Sequence, residues 1–319
     1  MNLYPMKFKP IFKERIWGGN KIGTFFGKEI PPGKKVGESW ELADLPLDKS
    51  KITNGQFAGK TIDEILNLYP LEITGNTQFK GPFPLLIKIL DAQDFLSVQV
   101  HPDPQTCRRR GEGDPKTECW YIIDCQPECC IYKGLKQGVT KEDFSRAITK
   151  GTCETLLEKV KVNKGECHFL PAGTPHAIGP GLLIAEIQTP SDTTYRVFDW
   201  NRLDSDGNSR QLHIEDALES IHFDSSDDNL SVSSQGRLVD SEWFTVDKGA
   251  VQPQSDIILE PGTMKVLFFL SGNGVVHSEQ NMVKYNPGDT VLIPHNCKGR
   301  LEAEISTCYL QTVTQRISK

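Results

Sequence analysis

The chain has 319 residues, with 36 Lys and Arg against 42 Asp and Glu, so its formal net charge is −6. Hydrophobic residues make up 37%, an ordinary globular composition that excludes a disordered or collagen-like chain. The acidic balance argues against general nucleic-acid binding, which needs excess basic residues, but it leaves room for a small phosphorylated ligand. The length predicts two domains.

The N-terminal residues contain no apolar segment typical of a signal peptide, and no apolar run approaches the ~20 residues that a membrane helix needs. We therefore expect a cytoplasmic protein with no membrane partner. The nine cysteines include no Cys-x-x-Cys pair. In a chain without a secretory signal, we expect them to be reduced and mostly buried.

Short apolar runs broken by Pro, Gly, Asn and Asp recur along the chain and predict a mainly β fold of the sandwich or barrel type. The first clear helix signal is a capping box at Thr61-Ile-Asp-Glu64. Two strands are predicted next, at residues 83–90 and 95–102. If the four residues between them form a hairpin turn, Lys88 lies directly opposite Ser97.

Lys88 stands in an otherwise apolar strand, so its head group needs water or an anion, and we interpret it as an anion-binding residue. Alternation along the second strand places Ser97, Gln99 and His101 on one face. The following strand begins at Glu118.

The remaining elements follow in order. Residues 138–162 predict a small helical insert between strands. A Gly-x5-Pro strand at 165–171 leads to a turn and His176, a buried strand follows at 182–188, and residues 213–221 predict a helix with one apolar face.

The polar stretch 223–235 predicts a linker, which places a domain boundary near residue 230. The Gly165-x5-Pro171 pattern recurs at Gly288-x5-Pro294, but without a histidine at the place of His176. We therefore expect one β domain at 1–230 and a related C-terminal β domain at 231–319 that has no counterpart of His176.

Gln99, His101, Glu118 and His176 form a possible ligand set of two imidazoles, one carboxylate and one amide. Mixed nitrogen and oxygen ligation suits Zn²⁺, with Fe²⁺, Mn²⁺ or Co²⁺ as alternatives. The competing interpretation is that the two histidines are independent structural residues.

These motifs resemble the cupins, and specifically the short bacterial form of the type I mannose-6-phosphate isomerases. Gly165-x5-Pro171-x-Gly-x2-His176 resembles the second cupin motif, and Gln99-x-His101 stands in place of the His-x-His of the first. Further segments resemble the isomerases: Arg15-Ile-Trp-Gly-Gly19, Gly37-Glu-Ser-Trp-Glu41, Lys116-Thr-Glu118, Ala172-Gly-Thr-Pro-His-Ala177 and Glu186 to Trp200.

The resemblance implies two cupin-like jelly-roll β domains, a catalytic one at 1–230 and a C-terminal one at 231–319 that lacks metal ligands. It also implies reversible conversion of mannose 6-phosphate to fructose 6-phosphate, with one zinc ion per chain. The four residues named above would be its ligands. Arg196 matches the family's catalytic arginine, and we expect it to stabilise the oxyanion of an enediol(ate), since arginine stays charged. The alternative for Arg196 is a structural ion pair with Asp192 or Asp199.

We expect Lys88 and Ser97 to hold the substrate phosphate, with Trp17, Glu38 and Asp192 also lining the substrate site. The proton-transfer base stays open among Glu186, Lys116, Glu38 and a zinc-bound water. Burial in an apolar strand is expected to raise the pKa of Glu186 towards neutrality.

Two other functions compete with the isomerase: a non-catalytic sugar-binding cupin, and a cupin of different chemistry such as an iron oxygenase. The cations Lys88, Lys116 and Arg196 favour an anionic sugar phosphate. The oligomeric state, monomer or homodimer, is not indicated by the sequence.

Overall fold

A computed structural model describes residues 3–203, 207–224, 232–279 and 281–315. The paired strands run antiparallel and form four sheets. In chain order the strands are β1 (Met6–Lys7), β2 (Ile11–Gly19), β3 (Val36–Leu42), β4 (Leu86–Ala92), β5 (Val98–Val100), β6 (Glu118–Cys125), β7 (Cys130–Leu135), β8 (Leu157–Lys161), β9 (Cys167–Leu170), β10 (His176–Ile178), β11 (Leu182–Gln188), β12 (Tyr195–Phe198), β13 (Val232–Ser233), β14 (Arg237–Asp240), β15 (Phe244–Val251), β16 (Asp256–Leu259), β17 (Lys265–Ser271), β18 (Gly274–Ser278), β19 (Met282–Tyr285), β20 (Thr290–Ile293), β21 (Gly299–Ala303) and β22 (Thr307–Thr314).

The helices are short, and none of those described has the length and apolar composition needed to cross a membrane. They are α1 (Lys21–Phe26), α2 (Ile62–Leu68), α3 (Pro70–Thr74), α4 (Pro104–Arg110), α5 (Lys141–Lys150) and α6 (Ile214–Ser220), with 3-10 turns at Gly55–Phe57 and Cys153–Leu156.

The first β-sandwich packs a seven-stranded sheet, in the order β13-β9-β6-β11-β4-β3-β2, against a five-stranded sheet, in the order β12-β5-β10-β7-β8. One apolar core joins Leu90, Trp120 and Ile184 of the larger sheet to Ile131 and Ile178 of the smaller one. Side chains on these inner faces alternate with outward-facing ones, so the space between the sheets is lined by every second residue.

The second sandwich packs the sheet β1-β20-β17-β22-β15-β14 against the sheet β16-β21-β18-β19. Its core contains Phe269, Val276, Val291 and Leu301. The largest apolar cluster joins the outer face of the seven-stranded sheet to residues of the six-stranded sheet, including Phe244 and Phe268. The two sandwiches therefore share a buried interface.

This architecture confirms the predicted fold class of mainly β structure with few helices. The Gly-x5-Pro repeat has a structural counterpart, because Gly165 (φ 93°) and Gly288 (φ 82°) both occupy the left-handed region just before β9 and β20. The centre of the predicted linker, and with it the domain boundary near residue 230, lies outside the described residues, so the domain division stays a prediction.

The capping box at Thr61 is present at the start of α2, and Thr140 caps α5 in the same way. The helical insert predicted over 138–162 is wrong in its second half. Residues 157–161 form β8, which pairs with β7. The sequence Leu-Glu-Lys-Val-Lys places its two exposed lysines at alternate positions, which is the period of a strand edge and not that of a helix.

The predicted hairpin between residues 83–90 and 95–102 is also wrong. Strand β4 pairs with β3 and β11, whereas β5 pairs with β10 and β12 in the opposite sheet. The segment between them crosses from one sheet to the other, with the Leu96 N–H donating to the Ile178 carbonyl. Lys88 therefore has Trp40 and Glu186 as its register partners. Ser97 immediately precedes β5 of the facing sheet.

Candidate metal centre and adjoining pocket

Three strands bring the four predicted ligands together inside the first sandwich. Gln99 lies at the centre of β5, and His101 follows that strand. Glu118 and His176 are the first residues of β6 and β10. The register pairs His176 directly with Gln99, and all but Gln99 are almost completely buried.

Three of the four predicted ligands have the spacing of a small metal site. His176 Nε2 lies 3.4 Å from Glu118 Oε1, and His101 Nε2 lies 3.6 Å from Glu118 Oε2. The amide nitrogen of Gln99 lies 3.4 Å from His176 Nε2, so Gln99 could be a ligand only with its amide turned to present the oxygen. A tetrahedral ion with bonds of about 2.0–2.1 Å separates its ligand atoms by about 3.4 Å, so this geometry fits an ion such as zinc.

Backbone carbonyls fix which nitrogen each histidine presents. The Nδ1–H of His101 donates to the Thr193 carbonyl at 2.9 Å, and the Nδ1–H of His176 donates to the Thr174 carbonyl at 2.8 Å. Both Nε2 lone pairs therefore face Glu118, which is the usual arrangement for metal-binding histidines. Burial lowers the pKa of His176 to about 4 and lowers that of His101 well below its ordinary value, so both rings are neutral at neutral pH.

Glu118 is fully buried, and within the described part of the chain neither of its carboxylate oxygens accepts a well-directed hydrogen bond. Burial raises its pKa to about 7. The nearest cation is the Lys116 ammonium, which lies 2.7 Å from Glu118 Oε2 and 3.0 Å from His101 Nε2. A buried carboxylate with unmet acceptor capacity beside two imidazole lone pairs is a donor set that a divalent ion would satisfy.

A cavity of about 390 Å³ adjoins these ligands. Gln99 and all the predicted catalytic and substrate-binding residues line this cavity. The other three predicted metal ligands, His101, Glu118 and His176, do not line it. The lining residues are Arg15, Trp17, Glu38, Lys88, Leu90, Leu96, Ser97, Gln99, Lys116, Glu186, Asp192, Thr194, Arg196 and Arg210.

The cations on the wall formed by the larger sheet are paired with carboxylates. Lys88 Nζ lies 2.9 Å from Glu186 Oε2, and both side chains are about 6% exposed. Arg15 forms a two-point contact with Glu38, from Nε at 2.8 Å and Nη2 at 3.2 Å. The indole N–H of Trp40 donates to the same Glu38 carboxylate at 2.7 Å.

The predicted rise in the pKa of Glu186 is wrong. Burial alone would raise this pKa, but the ammonium groups of Lys88 and Lys116 reverse the effect and lower it to about 2. The sequence showed that Glu186 stands in an apolar strand, but its cross-strand partner Lys88 depends on long-range pairing. Glu186 is therefore an ionised carboxylate at neutral pH.

On the opposite wall, Arg196 Nε donates to Ser97 Oγ and one terminal nitrogen donates to the Gln211 carbonyl, both at 3.1 Å. Burial and the neighbouring Arg210 lower the pKa of Arg196, although arginine stays charged. Asp199, one of the two aspartates suggested as an ion-pair partner of Arg196, instead contacts Arg202 at 2.5 Å and Arg210 at 3.4 Å.

Sequence reasoning missed Arg15 and Arg210 as wall residues. Arg15 stands two positions before Trp17 on β2, so strand alternation could have placed both on one face. Arg210 lies in a loop after β12, where no periodic signal identifies it. The carbonyls that orient the two histidines belong to the backbone and leave no trace in a side-chain motif.

The chain is similar in sequence to mannose-6-phosphate isomerases. Residues 6–133 match the family described as "Phosphomannose isomerase type I, catalytic domain". The mannose-6-phosphate isomerase ManA of Bacillus subtilis (strain 168) is 36% identical over 308 residues, which cover 92% of this chain and 94% of that protein.

Solved structures show the same fold. The crystal structure of the mannose 6-phosphate isomerase from Bacillus subtilis matches with a TM-score of 0.87 at 30% identity, over 97% of this chain and 99% of that one. A zinc-bound mannose 6-phosphate isomerase has a TM-score of 0.77 at 15% identity, over 98% and 100% of the two chains.

Proposed function

The chain belongs to the type I phosphomannose isomerase family, and we propose that it interconverts mannose 6-phosphate and fructose 6-phosphate on a zinc ion held by Gln99, His101, Glu118 and His176. The observation that carries the proposal is the buried His101–Glu118–His176 cluster beside a pocket walled by cations. These residues occur in a chain that matches ManA along 92% of its length.

The donor set supports zinc, because neutral imidazoles and a carboxylate at this spacing are typical of that ion. One zinc per chain is proposed. When bound, the ion supplies a Lewis acid that polarises a sugar oxygen. Glu118 and the two histidines would hold it.

Lys88, Ser97 and Arg196 all border the pocket. We propose that the phosphate lies against Ser97 and Lys88, and that the Arg196 guanidinium faces the enediolate oxygen that develops during the reaction. Arg196 suits this task because its hydrogen bonds go to uncharged oxygens, so its charge is available to an oxyanion. Trp17, Glu38 and Asp192 complete the walls that orient the sugar.

Among the candidate bases, the geometry favours Glu186. It is ionised, faces the pocket, and is held by Lys88 and by the Trp120 indole N–H at 3.1 Å. We propose that Glu186 moves the proton between the two carbons. Lys116, beside two of the metal ligands, would donate a hydrogen bond to the sugar oxygen that gains negative charge.

A direct assay tests the proposal. Purified protein loaded with zinc is expected to form fructose 6-phosphate from mannose 6-phosphate, to lose that activity with a chelator, and to contain one zinc per chain by mass spectrometry. His176→Ala should lose both zinc and turnover. His277→Ala, which removes a partly exposed histidine of the second sandwich, serves as the matched control. Failure of the zinc-loaded protein to form fructose 6-phosphate would refute the function.

A further inference from the structure

Lys88 interacts with protein groups on two neighbouring strands as well as bordering the pocket. The register of β4 and β11 places it directly across from Glu186, and the two form an ion pair of 2.9 Å that is almost fully buried. On its other side, β3 contributes Glu38 and the Trp40 ring, whose centre lies 5.3 Å from the Lys88 ammonium. The Lys88 ammonium thus contacts the Glu186 carboxylate, lies in the electric field of Glu38 and borders the pocket.

The surroundings of Glu186 are equally defined. From β6 it faces the Trp120 indole, its donor at 3.1 Å, and it also senses the Glu118 carboxylate. From β4 it faces Lys88, and Lys116 adds a second positive charge from the segment before β6. Of these two lysines, Lys88 lowers the pKa of Glu186 more than Lys116 does, and Lys88 is in direct contact with the Glu186 carboxylate.

A carboxylate held in a buried ion pair is a poor base, because a proton can bind it only at the cost of the pair. With a pKa near 2, Glu186 in its resting state is ionised but weakly basic. The reaction therefore needs a way to loosen the pair once substrate is bound.

We infer that Lys88 is shared between Glu186 and the substrate, so that a phosphate dianion entering the pocket draws Lys88 away from Glu186 and frees that carboxylate to take the proton. The inference rests on the proposed isomerase function. The ligand class is a phosphomonoester dianion, and its role here is to activate the base as well as to anchor the sugar.

The proton step balances without any further reactant. Glu186 takes the hydrogen from C2 of the open-chain aldose as a proton. The electron pair of that C–H bond forms the C1–C2 double bond, and the carbonyl pair moves to O1. Return of the proton to C1, with transfer of the O2 hydroxyl proton to O1, gives the ketose.

The coupling can be tested by supplying the sugar and the dianion separately. Zinc-loaded protein is assayed for conversion of unphosphorylated mannose to fructose, with and without phosphite dianion. We expect phosphite to raise kcat/KM for mannose by at least about tenfold, because remote binding energy is used at the reacting carbon. In Lys88→Met, this ratio should fall to about one.

Two controls separate the role of Lys88 from misfolding and from charge in general. Lys88→Arg retains a cation and should recover part of the phosphite response, and Lys80→Met, which removes an exposed lysine ahead of β4, should keep all of it. Zinc content and circular dichroism verify that each variant is folded.

The outcomes are distinct. If wild type converts mannose 6-phosphate but shows no phosphite activation of mannose, the sharing of Lys88 is refuted while the isomerase function stands. Equal activation in wild type and Lys88→Met would refute it as well. Absence of activity on mannose 6-phosphate in the zinc-loaded wild type would instead refute the proposed function.

Discussion

The buried lysine Lys133 offers a test of the electrostatics of the first sandwich. It lies on β7 across from His176, and only 1% of it is exposed. Burial lowers its pKa from 10.5 to about 8. The difference between these two pKa values corresponds to a cost of about 3 kcal/mol for keeping this ammonium charged in the folded protein at neutral pH.

Replacing Lys133 by Met removes the charge and keeps a similar length. At pH 7 the lysine is charged in both the folded and the unfolded chain, so the full cost applies, and Lys133→Met should be more stable than wild type by up to about 3 kcal/mol. Between pH 8 and 10.5 the unfolded chain binds more protons than the folded one, so the stability of wild type rises with pH. At pH 10 the advantage of the variant should shrink to about 1 kcal/mol.

Urea unfolding at pH 7 and pH 10 measures both values. Lys159→Met is the matched control, because Lys159 lies on the neighbouring strand β8 and is exposed, so its removal should change stability by less than about 0.5 kcal/mol. The reasoning is refuted if Lys133→Met is no more stable than wild type at pH 7, or if its advantage is the same at both pH values.

Two further substitutions test the site and its frame. Arg196→Ala should lower kcat by about 10²–10³-fold, the usual loss when an oxyanion donor is removed, while the zinc content stays at the wild-type level. Steady-state kinetics that give a near wild-type kcat would contradict the proposed role. Arg300→Ala on the second sandwich is the control. Gly173 has φ of 84°, and a Cβ there would lie 2.6 Å from the His222 ring, so Gly173→Ala should lower stability by about 1–3 kcal/mol in thermal unfolding. Gly138→Ala shares the positive φ (77°) but meets nothing within 4 Å, and an equal loss in both variants would show that the His222 contact is irrelevant.

Sequence patterns correctly predicted the features that depend on residues close together in the chain. The capping box at Thr61 specified the start of α2, since a helix N-terminus is satisfied by side chains only a few residues away. Strand alternation placed Val98 and Val100 in an apolar core and Gln99 towards the cavity. The turn glycines of the repeat were also readable, because a positive φ strongly favours that residue.

The wrong hairpin and the wrong sign for the Glu186 pKa both concern strands that pair with segments distant in the sequence. Nothing in residues 91–94 shows that the chain crosses between sheets there, since the choice depends on β10 and β11, about 80 residues further on. The same long-range pairing put Lys88 beside Glu186 and lowered the pKa of that carboxylate instead of raising it. Electrostatic predictions from an isolated strand lack the neighbour that determines the sign of the shift.

The net charge of −6 for the whole chain does not predict the charges that line the pocket, where most cations are paired with carboxylates. Arg15 contacts Glu38, Lys88 contacts Glu186 and Lys116 contacts Glu118, so each of these cations is held by a carboxylate. Arg196 differs, because its hydrogen bonds go to a serine hydroxyl and a backbone carbonyl. A paired cation responds to an incoming anion by weakening its own pair, whereas a cation with neutral partners attracts the anion at once. Arg196 therefore suits stabilisation of a transient oxyanion, and Lys88 suits the coupling of phosphate binding to the strength of a base.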